Sequence, residues 1–155
     1  MRLWRLSIAA YAQALDGGYG LRFAGRWNSM GRPITYAATS PSLCILEKLV
    51  HVEDPALLPD LTMARYEVPE DIPIARRDLR ALPIDWRQRE SLTQAMGDEW
   101  LDSLAAPLLL IPSAIASFDG SPDLNALINH RHPAAARIET DATFPYVFDS
   151  RLVSS

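Results

Sequence analysis

A chain of 155 residues, 48% hydrophobic and 22% charged, is long and apolar enough for one compact domain, and it is not composed as a disordered polymer. The net charge of −4 and pI near 5.3 disfavour a nucleic-acid binder, whose footprint is basic. The single cysteine, Cys44, excludes an intrachain disulfide framework, which fits a reducing cytoplasm.

Leu3 to Ile8 alternates and predicts a first strand. Asp16-Gly17-Gly18-Tyr19-Gly20 reads as a loop, because glycine reaches φ > 0 at little cost. Gly25-Arg26-Trp27-Asn28 and a turn through Gly31 to Pro33 follow, then a short strand from Ile34 to Ala38 around Tyr36. Ser40 suits an N-cap and Pro41 the first helical position. The helix they open is expected to run to about His51 and to stop near Pro55. At 100° per residue, Leu43, Ile45, Leu46, Leu49, Val50 and Val52 form one apolar arc with Glu47 at its rim. Thr62 to Val68 reads as a strand. Ser91 to Ala105 reads as a helix broken or kinked near Gly97. The apolar run Pro107 to Ile115 predicts a central buried strand. Leu124 to Asn129 reads as one helical turn and Phe144 to Phe148 as a last strand. Strands and helices mix without a βαβ rhythm, so the expected class is α+β in a single domain over 1–155. No apolar stretch is long enough to span a bilayer. The N-terminal MRLWRLS shows no export signal, so a cytoplasmic protein without membrane contact is expected.

Several motifs fail. Gly18 and Gly20 lack the third glycine of a dinucleotide fingerprint, since position 23 is Phe23. There is no Walker-type loop and no G-x-S-x-G elbow. His51, His130 and His132 have neither HExxH spacing nor cysteine pairs, so no metal is expected. Cys44, among leucines, reads as a small core hydrophobe.

Five polar residues stand where neutral ones would be easier: Arg5 on the first strand, Arg26 between Gly25 and Trp27, Tyr36, Glu47, and Ser113 after Pro112. Singly, each has a plain reading. Arg26 fits a surface ion pair, Tyr36 ordinary core, Glu47 a solvated helix face and Ser113 a turn cap. Composition and spacing alone yield only a soluble α+β domain.

Taken together, Leu3-Trp4-Arg5, Gly25-Arg26-Trp27-Asn28, Gly31 to Tyr36, and Ser40-Pro41 to Glu47 resemble the RES domain family. So do Ile111-Pro112-Ser113, Leu127 to Pro133 and Phe148 to Leu152, in one order over nearly the whole chain. The family's arginine, glutamate and serine map to Arg26, Glu47 and Ser113. The segment Ala116 to Asp123 is longer than the family's usual link, and no role is carried to Asn125 or Asn129. The resemblance implies an ADP-ribosyltransferase-like fold with a mixed or antiparallel sheet and flanking helices. It implies a toxin of a bacterial toxin–antitoxin pair that consumes NAD+ by cleaving the nicotinamide–ribose bond, as a glycohydrolase or phosphorylase. Alternatives are a mono-ADP-ribosyltransferase acting on a protein and, from another class, a non-catalytic nucleotide- or partner-binding module. The implied partner is an Xre-like antitoxin.

That chemistry suits these residues. Glycosidic cleavage builds positive charge on the ribose, which a carboxylate stabilises, and Glu47 is the candidate. Arg26 with Arg5 would bind the pyrophosphate, since a guanidinium fork matches phosphate oxygens. The Tyr36 ring would stack on the nicotinamide. Ser113, at a strand end, would hydrogen-bond Glu47 or the ligand and orient the carboxylate. Trp4 and Trp27, beside the arginines, are the expected aromatic anchors for a partner.

Overall fold

The computed structural model describes residues 1–54 and 57–153. The expected stop near Pro55 lies outside the described residues. Seven strands form one sheet: β1 (Arg2–Ile8), β2 (Ile34–Ala38), β3 (Leu61–Glu67), β4 (Ile74–Arg76), β5 (Leu108–Pro112), β6 (Leu124–Asn129) and β7 (Glu139–Tyr146). Their order is β4-β5-β6-β2-β1-β3-β7. The β4–β5 pair is parallel and every other pair antiparallel. Helices α1 (Gly18–Arg22), α2 (Pro41–Leu49), α3 (Glu90–Ser103) and α4 (Ser150–Val153) complete the domain. This is the α+β class with the mixed sheet that was expected.

Register sorts the side chains. Residues directly opposite in an antiparallel pair share a face, and neighbours along a strand alternate. Trp4 pairs with Ala38, Ala38 with Asn125, and Asn125 with Ile111. Those four residues, with Tyr36 two positions from Ala38, therefore lie on one face. That face is covered by Trp27, Trp86, Trp100 and Leu101, and further along by Leu43 and Cys44 of α2. The opposite face carries Leu3, Ala37, Leu108, Leu110, Ala126 and Ile128. Arg5 alternates with Trp4 and so lies on that opposite face.

Several elements differ from the sequence reading. Leu124 to Asn129 is a strand, not a helical turn. Its last four residues are buried between β5 and β2, so both faces are apolar and the period that marks a strand is lost. The run from Pro107 supplies only Leu108–Pro112 as strand. Residues 18–22 close a helical turn rather than an open loop. The apolar arc of α2 is not all core, since Leu46 is 41% and Val50 58% exposed.

Helix α3 is continuous through Gly97. A Cβ at Gly97 would lie 1.8 Å from the Trp27 carbonyl oxygen. The glycine therefore lets the 25–28 turn press directly against the helix and does not break it.

On the Arg5 face, His130 Nε2 lies 2.8 Å from Thr35 Oγ1. Burial pushes the imidazole down to about 4, against the opposing pull of Asp16, and the Arg5 charge lowers it further. The unfolded chain takes up this proton near pH 6.5, so it holds more protons than the native state between about pH 6.5 and 4. The contribution of neutral His130 to stability is complete above that window and lost as pH falls through it. Thermal unfolding between pH 7 and 4 is expected to show a falling midpoint, and His130→Asn is expected to flatten the slope.

Candidate active site

The geometry begins at the N-terminus of α2. Ser40 Oγ accepts the Leu43 N–H at 3.2 Å, with Pro41 opening the helix. This cap fixes the helical phase. Leu43 and Cys44 are buried, and the Cys44 thiol donates to the Trp4 carbonyl at 3.0 Å. Burial pushes that thiol up to about 12, so Cys44 is core and not a thiolate nucleophile. One turn after Leu43, Glu47 emerges half-buried at the rim.

Two neutral donors meet one oxygen of Glu47. Ser113 Oγ donates to Oε1 at 2.8 Å and Asn125 Nδ2 donates to the same atom at 2.7 Å. Ser113 is fully buried at the end of β5. Its Oγ also accepts the N–H groups of Ile115 at 3.0 Å and Ala116 at 3.2 Å. With two donors occupying the oxygen's lone pairs, the hydroxyl hydrogen is directed at Glu47. Oε2 has no hydrogen-bond partner among the described residues. The carboxylate is thus pinned by one oxygen and open at the other.

Tyr36 shares this face. Its hydroxyl donates to Asn28 Oδ1 at 2.6 Å and accepts the Trp27 N–H at 3.1 Å. Burial raises its ionisation well above the usual phenol range, so it stays neutral. Asn28 is wholly buried and donates through Nδ2 to the carbonyls of Phe23 at 3.2 Å and Ser29 at 3.1 Å. A Cβ at Gly25 would lie 2.6 Å from the Tyr36 oxygen, so only glycine permits this turn to sit on the tyrosine. Between Gly25 and Trp27, half-buried Arg26 donates through Nη1 to the Arg87 carbonyl at 3.0 Å.

The structure therefore joins Glu47 to Ser113 directly and Tyr36 to the turn that carries Arg26. Arg5 is not among them. Its Nη1 donates to the Ala14 carbonyl at 2.9 Å, and strand alternation points it to the other face of the sheet. Trp27 is also not an exposed anchor. It is 2% exposed and packs 6.0 Å from the Trp86 ring. Trp4 is half-buried, with its ring 6.4 Å from Phe144.

Sequence reasoning left out Asn125, Asn28 and Arg87. Asn125 had a signal, a carboxamide two residues into the apolar run LNALIN, but the long segment from Ala116 to Asp123 kept any role from being carried to it. Arg87 had none, since an arginine in WRQRE looks like any solvated turn. Cavity size does not locate the site either. Spaces of about 550 Å³ beside His130 and Ile138 and about 400 Å³ beside Leu110 and Leu124 open on the Arg5 face. No group of three or more His, Cys, Asp or Glu is arranged to hold a metal among the described residues. No helix among them is long and apolar enough to cross a membrane.

The chain thus has a mixed sheet with a helix-borne carboxylate held by a strand-end serine, and the model of the RES domain family matches residues 2–149. The chain belongs to the RES domain family. It is 44% identical over 156 residues to Toxin Res of Pseudomonas putida, covering 98% of this chain and 99% of that one. Identity to Toxin Res of Photorhabdus laumondii is 35% over 158 residues, covering 100% and 99%. A Prs ADP-ribosylating toxin of a Sphingobium species is 30% identical over 158 residues, covering 97% and 95%. Among solved structures, a chain of the Mycobacterium tuberculosis MbcT–MbcA toxin–antitoxin complex superposes with a TM-score of 0.75 at 18% identity, over 94% of this chain and 84% of that one. That likeness establishes the shared fold.

Proposed function

We infer that the chain binds NAD+ on the Glu47 face of the sheet and cleaves its nicotinamide–ribose bond, acting as the toxin of a toxin–antitoxin pair in the cytoplasm. The observation that supports this most is the one-sided pinning of Glu47, with Oε1 saturated by Ser113 and Asn125 and Oε2 uncommitted. Such a carboxylate, held in place through Oε1, has its other oxygen to set against a ribose hydroxyl or the developing charge.

In the reaction the C–N bond breaks and its electron pair stays on the pyridine nitrogen, so nicotinamide leaves neutral. No general acid is needed. The ribose becomes oxocarbenium-like, and preorganised negative charge beside it lowers the barrier. The hydrogen bonds from Ser113 and Asn125 hold that charge in position before substrate arrives. The Tyr36 ring, with its hydroxyl tied at both ends, offers a fixed surface for the nicotinamide. Arg26 supplies the fork for the pyrophosphate. Arg5, on the far face, is withdrawn from that role. Water or phosphate then takes the ribose in a glycohydrolase or phosphorylase.

A second reading, transfer of ADP-ribose to a protein, is favoured by the Sphingobium relative, whose name describes it as ADP-ribosylating. Labelled NAD+ in a lysate separates the readings. Free nicotinamide with no labelled protein supports hydrolysis or phosphorolysis, and a labelled band supports transfer. No release from a folded chain leaves the non-catalytic binding module.

Arg26→Lys is expected not to be conservative. Lysine keeps the charge and loses the planar fork, so KM for NAD+ is expected to rise about tenfold or more with a smaller change in kcat. Steady-state kinetics check this, and an unchanged KM removes Arg26 from phosphate binding.

The proposed partner is an Xre-like antitoxin that covers the NAD+ face. With Trp27 buried, the exposed apolar side chains beside the Arg26 turn are Phe23 at 53% and Met30 at 64%. These replace Trp27 as anchors, while an acidic group of the partner would meet Arg26. NAD+ and antitoxin are then mutually exclusive. A titration of antitoxin into the chain at saturating NAD+ is expected to show weakened affinity, and undiminished affinity excludes occlusion.

A further inference from the structure

Resting on the NAD+ reading above, we propose that Arg87 is a positioning residue that locks the segment after Ser113 to the Arg26 turn and thereby holds Glu47 in its reactive orientation. Arg87 lies in the 3-10 turn Trp86–Gln88 before α3 and is half-buried. Its Nε donates to the Ala114 carbonyl at 3.3 Å and its Nη2 donates to Ser117 Oγ. Its own carbonyl accepts Arg26 Nη1 at 3.0 Å. One residue therefore ties together segments 61 positions upstream and 27 and 30 positions downstream.

The contacts run straight to the carboxylate. Ala114 follows Ser113, whose hydroxyl donates to Glu47 and accepts from the amides of Ile115 and Ala116. Those amides belong to the segment that Arg87 grips at Ala114 and Ser117. If the segment shifts, the Ser113 oxygen loses the donors that direct its hydrogen, and Glu47 loses one of its two pins. The other end is anchored as well. Trp86, 1% exposed, is packed against Trp27, and the Arg87 guanidinium carbon stands 5.1 Å from the Trp86 ring centre. A guanidinium suits this place because it bonds in two directions within one plane while lying on an aromatic face. A lysine could keep one of those bonds and the charge. Arg87 is assigned no contact with the substrate.

The test uses the full chain and Arg87→Ala, Arg87→Lys and Ser117→Ala, with two readouts. Hydrogen exchange at the Ile115 and Ala116 amides needs no activity. Arg87→Ala is expected to speed exchange there by at least about tenfold, with the α2 amides unchanged, as local opening does. For nicotinamide release, Arg87→Ala is expected to lower kcat by about tenfold to a hundredfold, since small misplacements of catalytic groups cost that much, with KM for NAD+ within about twofold. Arg87→Lys and Ser117→Ala are expected to fall between it and the parent, and added guanidinium ion is expected to restore part of the Arg87→Ala rate. Unchanged exchange and unchanged kcat overturn the proposal. A raised KM with unchanged kcat and exchange also overturns it, making Arg87 a substrate ligand. If Arg87→Ala does not fold, Ser117→Ala and Arg87→Lys decide by the same readouts. If the parent releases no nicotinamide, the NAD+ reading fails while the exchange readout still decides whether Arg87 holds the segment.

Discussion

Glu47→Gln is expected to abolish nicotinamide release and to leave the fold intact. The amide oxygen of glutamine can accept from Ser113 Oγ and Asn125 Nδ2 as Oε1 does now at 2.8 and 2.7 Å, so the side chain keeps its place. What changes is the free position. A carboxylate oxygen becomes an NH2 group with partial positive charge, turned toward a ribose that is itself becoming positive. Loss of a preorganised electrostatic group of this kind costs about 10²- to 10³-fold in kcat. Thermal unfolding is expected to stay near that of the parent, and expression of the variant alone is expected to be tolerated by cells that the parent poisons. Turnover near the parent's rate in a folded Glu47→Gln protein contradicts the mechanism.

Gly97→Ala is expected to lower stability and activity together, and its sign is decided by geometry against propensity. In an exposed helix, alanine for glycine stabilises by roughly 1 kcal/mol. Here the added Cβ would meet the Trp27 carbonyl oxygen at 1.8 Å and its carbon at 2.7 Å. Both are backbone atoms of the turn whose Trp27 N–H and Asn28 carboxamide hold the Tyr36 hydroxyl, so nothing flexible can give way. Overpacking a tight interior costs roughly 1–3 kcal/mol, and a domain of this size loses about 2–4 °C of Tm per kcal/mol. Displacing the turn also moves Arg26 and Tyr36. Differential scanning fluorimetry is expected to show a lower Tm, and NAD+ kinetics a loss of at least about tenfold in kcat/KM. A raised Tm with full activity contradicts the packing described for Gly97.

The sequence was most informative where local chemistry decides the structure. Ser40-Pro41 marked the start of α2 because a cap and a ring-fixed φ act within one turn, and Glu47 follows at a helical spacing from them. Ile34–Ala38 was legible as a strand from its short apolar run between turn residues. Legibility failed where distant segments decide. Leu124–Asn129 became β6 through pairing on both sides, which leaves no alternation to read. Arg5 and Trp4 are neighbours in sequence, yet only the register of β1 against β2, and of β2 against β6, tells which of them faces Glu47. Trp27 looked like a surface anchor beside an arginine. Its burial rests on Gly97, 70 positions away in the chain numbering, a contact no local pattern announces. Asn125 and Arg87 likewise act on residues far along the chain.

Whether the chain destroys NAD+ at Glu47 is decided by the nicotinamide released when purified chain is incubated with NAD+ beside a Glu47→Gln control of equal thermal stability. The parent is expected to release one nicotinamide for each NAD+ lost, and the control at least about 10²-fold less. Stable NAD+ in the presence of the folded parent, or equal release from both proteins, contradicts the Glu47 mechanism.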